Sequence, residues 1–306
     1  MSSHVYKNSN LSFSNDLPSL DVRNSNWRRW LTFGISLALM LAIVVRFQAF
    51  GYREALSALP KNPVFWLSFG AYYLALPGSE WVIFRRLWRI PRGGFAALLR
   101  KLVSNEVLFG YSGEAYFYAW ARRHAKLIAA PFGAIKDVSI LSALAGNITT
   151  LVMLALAWPL LDSIVPQLHG QAIALSTAFI LGTSMLILAI RGKLFSLPRN
   201  DLHFILRVHL VRLVATTLLS GLMWHTALPT VPFTWLILLA TLQLLVTRLP
   251  FVPSKDLVFA NLAMLLIGHD NTVTMVIAMI AAALLATHLV VGAVVVLPDL
   301  LRKNTP

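Results

Sequence analysis

A chain of 306 residues with 58% hydrophobic and only 12% charged positions lies outside the composition of soluble globular domains, where charged residues make up about a quarter. Its net charge of +14 does not point to nucleic acid, because the basic residues cluster in short segments between apolar runs and not along one soluble face. The chain has no cysteine, which excludes disulfides, thiolate nucleophiles and cysteine-bound metals.

These properties predict an all-α polytopic membrane protein whose basic segments lie on the cytoplasmic side. Residues 1–26 are polar and end in Trp27-Arg28-Arg29-Trp30. That is too long and too polar an approach for a cleavable signal, so the expectation is a disordered cytoplasmic tail ahead of a single transmembrane domain over 27–303. A first span is expected from Leu31 to Phe50 and a second from Pro63 to Phe84, the latter interrupted at Pro77-Gly78. The second span delivers the chain to Arg85, Arg86, Arg89, Arg92, Arg100 and Lys101, the strongest cytoplasmic signal in the sequence.

The segment Leu102 to Lys126 follows, with Asn105, Glu106, Gly110, Gly113 and Glu114 set between that cluster and Arg122, Arg123 and Lys126. Two cytoplasmic flanks cannot bracket one full crossing. The segment is therefore expected to be re-entrant, dipping in, breaking at Gly110 to Gly113 and returning. Irregular backbone at membrane depth needs protein or a water-filled cavity around it, since an unpaired amide in lipid is costly.

Further spans are expected over Ile135 to Leu161, Ala172 to Ile190, Val208 to Leu228, Phe233 to Val246 and Val273 to Leu297. Asp162 to Gly170 and Leu228 to Pro232 form outside turns, and Arg191, Lys193, Arg199, Arg207 and Arg212 form a long cytoplasmic connection. A second interrupted stretch, Arg248 to Asn271, contains Pro250, Pro253, Ser254-Lys255-Asp256 and Asn261. The total is about eight crossings with two interrupted or re-entrant segments, and both termini fall in the cytoplasm. The interrupted segments occupy corresponding places in the two halves, the pattern of a binding site at the interface of internal repeats.

The run Asn105, Gly110-Tyr111-Ser112-Gly113-Glu114, Arg122-Arg123 and Asp137 resembles a pattern in the transmembrane region of lysylphosphatidylglycerol synthases and their flippase-like relatives. Leu249-Pro250-Phe251-Val252-Pro253 with Asp256 and Asn261 resembles that family's second signature. Tyr111 stands where the first motif commonly has Pro or Gly, and Ser254-Lys255 stands where glycines are usual. The resemblance covers about residues 30–297 and does not extend to the family's soluble aminoacyl-transfer domain. It implies a membrane domain that moves or handles lipids and does not itself make lysyl-lipid.

Candidate binding or transport residues follow. Glu114 comes first, because a carboxylate at the centre of a lipid-facing helix costs about 2.5 to 3.5 kcal/mol and so belongs in a cavity or beside a cation. Arg122 and Arg123 have the chemistry to hold a lipid phosphate in bidentate fashion, and also that of ordinary topogenic charges. Asn105, Gly113 and Asp137 enter through the resemblance, and Asp137 also reads as a helix-start acid. Arg248 and Asp256 form the charged part of the second break, with Arg248 expected to face Glu114 across a cavity. Glu106 is expected nearer the surface, paired with Arg100 or Lys101. The eight histidines show no metal spacing, and no cofactor is expected.

Two functions fit these residues. The first is lipid binding or translocation in the cell membrane, taken to be a bacterial inner membrane, with anionic or phosphate-bearing lipids as partners. The second is a membrane-embedded lipid-modifying enzyme or an accessory subunit of one, with Glu114 or Asp137 as general base.

Overall fold

The computed structural model of the chain describes residues 60–108, 111–124, 131–164, 178, 181–185, 194–247, 259 and 271–301. The tail, the first expected span, most of the span over 172–190 and nearly all of the second interrupted stretch lie outside these residues. Within them the chain is all helical, without strands. The main helices are α1 (Pro63–Trp88), α2 (Gly94–Val107), α3 (Ser112–His124), α4 (Phe132–Ile164), α5 (Arg199–Ala227), α6 (Phe233–Thr247) and α7 (Asn271–Leu301).

Local chemistry sets the boundaries. The Asn62 side chain accepts the Val64 N–H at 2.9 Å and Pro63 opens the first turn of α1, which satisfies one amide and spares another. At the other end Arg89 adopts a left-handed conformation, φ 49°, and its N–H closes on the Arg85 carbonyl ahead of Pro91. The Pro198 carbonyl receives the first amides of α5. That helix stops at Leu228, where Pro229 and Pro232 cannot extend it.

Three expectations change. Pro77 and Gly78 do not interrupt α1, which runs on to Trp88, since proline within a long helix removes one hydrogen bond without ending it when neighbouring helices hold the rest. Arg100 and Lys101, expected in a cytoplasmic loop, are buried inside α2 because acceptors from other helices meet them. Helix α5 begins at Arg199, nine residues before the expected start at Val208, so Arg212 is helical and half-buried, not in a connection.

Helix α2 packs against α1, α3 and α7, while α5 lies between α1 and α4 and touches α6. Two apolar cores result. One gathers the N-terminal half of α1 with the C-terminal half of α5 and with α6 and α7, around Phe65, Phe69, Trp224, Leu236 and Ile277. The other gathers the C-terminal half of α1 with α3 and the N-terminal parts of α2, α4 and α5, around Phe84, Leu98, Phe117, Val138 and Ile205. Outward faces are apolar as well: α4 exposes Ile148, Val152 and Leu156, and α5 exposes Val211, Val214, Leu218 and Leu222. The spacing of three and four residues makes each set one stripe along its helix. Among the described residues two helical stretches, Phe132–Ala157 and Arg199–Ala227, are long and apolar enough to cross a membrane.

Candidate functional site

Helices α2 and α3 form a hairpin whose pairing is read from its contacts. The Ser112 hydroxyl donates to the Ser104 carbonyl at 2.8 Å, the Gly113 N–H donates to Asn105 Oδ1 at 2.7 Å, and Arg100 Nη1 donates to the Tyr116 hydroxyl at 3.2 Å. From the 104/112 pair to the 100/116 pair the numbering falls along one helix and rises along the other, so the two helices are antiparallel. At 14 and 13 residues, each is about 20 Å long, short of the ~30 Å hydrocarbon core. The turn contains Tyr111 at φ 73°, which puts the break inside the expected region. Gly113 is required by proximity: a Cβ there would sit on the Lys101 carbonyl oxygen and 2.8 Å from Asn105 Oδ1.

The hairpin carries Lys101 and Glu114 to a third charge, Glu80 on α1. Lys101 Nζ bonds to Glu80 Oε1 and lies 3.2 Å from Glu114 Oε1. Lys101 and Glu80 are buried, with side chains 5% and 6% exposed, whereas Glu114 retains 19%. One Glu114 oxygen, Oε2, is buried without a hydrogen bond. Two carboxylates share one ammonium, and Arg212 of α5 lies within electrostatic reach of Glu80. Arg212 also donates to Ser142 of α4 at 3.1 Å, and fully buried His209 lies one turn before it.

This polar layer sits at the seam of the two cores. Along α1, Glu80 separates Tyr73 of one core from Ile83 of the other; along α2, Arg100 and Lys101 fall between Leu98 and Leu102. Arg100 donates to the Val295 carbonyl of α7 while its guanidinium lies over the Tyr116 ring. Beyond the layer, the Tyr73 hydroxyl meets His288 Nδ1 at 3.1 Å. A narrow cleft follows, lined by Tyr72, Ser220, Trp224, Gln243 and Phe259 among others, with Gln243 Nε2 donating to the Tyr72 hydroxyl at 3.2 Å.

The sequence candidates separate by location. Asn105, Gly113 and Glu114 come together in the hairpin, where the first two lock its halves and the third reaches Lys101. Asp137 is fully buried at the start of α4, its Oδ2 accepting the Ser196 and Leu197 amides at 2.7 and 2.8 Å. Its contacts hold the segment before α5 against α4. Neighbouring Lys136 caps the Leu194 carbonyl and lies 3.5 Å from Asp137 Oδ1. Arg122 and Arg123 are exposed on the last turn of α3. Arg248 and Asp256 lie outside the described residues. Lys101 takes Glu80 and Glu114 as its acids.

Glu80 is the residue that sequence reasoning missed. The available signal was an acid following Pro77-Gly78-Ser79 in an apolar run, one that invites the same question as Glu114. Among the described residues no group of three or more His, Asp or Glu side chains is arranged to hold a metal ion. The chain matches no protein-family model, and the searches of curated proteins and of solved structures give no match.

Proposed function

We propose that the chain is a multi-pass protein of the cell membrane that binds lipid and moves it between leaflets, with the α2–α3 hairpin entering from the cytoplasmic side without crossing. The observation that carries this reading is the buried Glu80–Lys101 pair, joined by partly exposed Glu114, inside a molecule whose outer helical faces are apolar. Apolar outside and ionic inside is the arrangement expected when the solvent is hydrocarbon, where ionisable groups turn inward, pair and mark a polar path. Two spanning-length helices and a hairpin too short to cross fit the same picture.

In this reading the chain crosses an inner membrane about eight times, and the charge distribution orients it with both termini in the cytoplasm. The resemblance to the flippase-like membrane region supports lipid as the cargo. Glu114 is the movable member of the cluster. It is more exposed than Glu80, and its Oε2, buried without a hydrogen bond, is the atom that would take a proton. Exchange of its Lys101 contact for a headgroup would couple binding to opening of the hairpin.

The test is transbilayer movement of a fluorescent phospholipid in vesicles holding the full chain, read by dithionite quenching of the outer leaflet. Wild-type protein is expected to expose inner-leaflet label, and Glu114→Gln to slow that by about tenfold or more, the rate cost of roughly 1.4 kcal/mol. No movement above protein-free vesicles would remove the transport reading. Chemical change of the lipid would favour the lipid-modifying enzyme instead.

A further inference from the structure

One end of the molecule is built from the C-termini of α1 and α3 and the N-termini of α4 and α5, joined by the Arg86–Asp201 pair at 3.3 Å and by the Asp137 clamp. Arg85, Arg86, Arg89 and Arg92 are exposed there, with Arg122 and Arg123. A topogenic signal requires only positive charge, and lysine serves it as well as arginine. These residues show more than charge. Three guanidiniums lie over aromatic rings: Arg85 over Trp81 at 4.9 Å, Arg86 over Phe204 at 4.2 Å and Arg122 over Tyr118 at 5.7 Å.

Stacking of this kind fixes the plane of a guanidinium and leaves N–H groups at its edge, which reduces the ordering cost of a bidentate contact to an oxyanion. The rings belong to a larger aromatic layer. Phe84, Trp88, Phe117, Trp120 and His124 stack in succession at centroid separations of 4.7 to 6.3 Å. Beneath Arg122, Tyr118 packs edge-on against Phe132, which is 62% exposed. A phosphate at the arginine edges would thus have an apolar surface beside it.

We infer that this arginine–aromatic collar is a binding surface for the phosphate of anionic phospholipids, specified by arginine geometry and not only by charge. The inference rests on the membrane placement proposed above but not on transport. A lipid fits better than free phosphate, because the exposed Phe132 ring, packed against the Tyr118 ring that lies under Arg122, offers a place for an acyl chain or glycerol.

The experiment compares the full chain with the charge-conserving variant Arg85→Lys/Arg86→Lys/Arg122→Lys. Both are reconstituted in vesicles of equal phosphatidylglycerol and phosphatidylcholine, re-extracted in mild detergent, and their retained lipids are quantified by mass spectrometry. Wild type is expected to retain phosphatidylglycerol preferentially, and the variant to lose that preference by about threefold or more, since an ammonium lacks the planar fork. Equal preference in variant and wild type would leave only topogenic charge and overturn the inference, as would no preference in the wild type. Arg122→Lys alone, on an exposed helix end, provides the same comparison if the triple variant does not fold. Retention is read at equilibrium, so a protein that fails to transport can still show the preference.

Discussion

Lys101 holds two acids together in the interior. It lies between Glu80 and Glu114, and its removal would leave one buried and one partly buried carboxylate near one another without their shared cation. Breaking a buried pair from one side typically costs about 3 to 5 kcal/mol. Lys101→Met is therefore expected to lower thermal stability in detergent by that order, and more than Glu114→Gln, because Glu114 is partly exposed. The double variant Lys101→Met/Glu80→Gln should be milder than the sum of its singles, since groups in one network are not additive. Thermal unfolding of the double variant, its two singles, Glu114→Gln and the wild type checks this, and strictly additive effects would mean that the charges act independently. At Arg89 the chain holds a non-glycine residue at φ 49°. That conformation costs an L-residue roughly 1 to 2 kcal/mol, so Arg89→Gly is expected to raise the unfolding temperature in the same measurement.

At the scale of elements, the α2–α3 hairpin depends on close approach. Gly113 leaves room for the Lys101 carbonyl, Asn105 Oδ1 takes the Gly113 amide, and Ser112 ties to Ser104. Gly113→Ala would place a methyl group where backbone and amide oxygen already stand. Backbone shifts of this kind cost about 1 to 3 kcal/mol. They would also displace Glu114, the next residue, from Lys101. Loss of both stability and phospholipid movement is expected, whereas a fully active and stable Gly113→Ala would show that the two helices do not meet this closely. The break in this segment was legible from glycines between charged flanks. The start of α2 at Gly94 was not, because Arg100 and Lys101 carry the same charges whether they face a loop or an acid on another helix.

At the scale of the molecule, the charge distribution and the collar make a topological prediction. The chain has no cysteine, so single cysteines at Arg92 and His124, both exposed, report on side without background. The two positions bracket the hairpin and should react with an impermeant reagent from the cytoplasmic face only. Reaction from opposite faces would make the hairpin a full crossing and discard the re-entrant placement. In the proposed membrane arrangement the exposed Val211, Val214, Leu218 and Leu222 along α5 would face acyl chains.

Composition and hydropathy by themselves determined that the described part of the chain is helical. They also located most helices to within a few residues, because capping and proline signals act over a few positions and apolar runs are long. Asn62-Pro63 opens α1, and Pro229 and Pro232 separate α5 from α6, each for reasons visible in the sequence. Which charges face inward was decided only by tertiary structure. Glu80 and Lys101 are 21 residues apart, and Asp137 lies 59 residues from the Ser196 amide it accepts. Such partners cannot be read from local pattern, since whether a charged side chain is topogenic, structural or part of a polar path depends on what another helix presents to it.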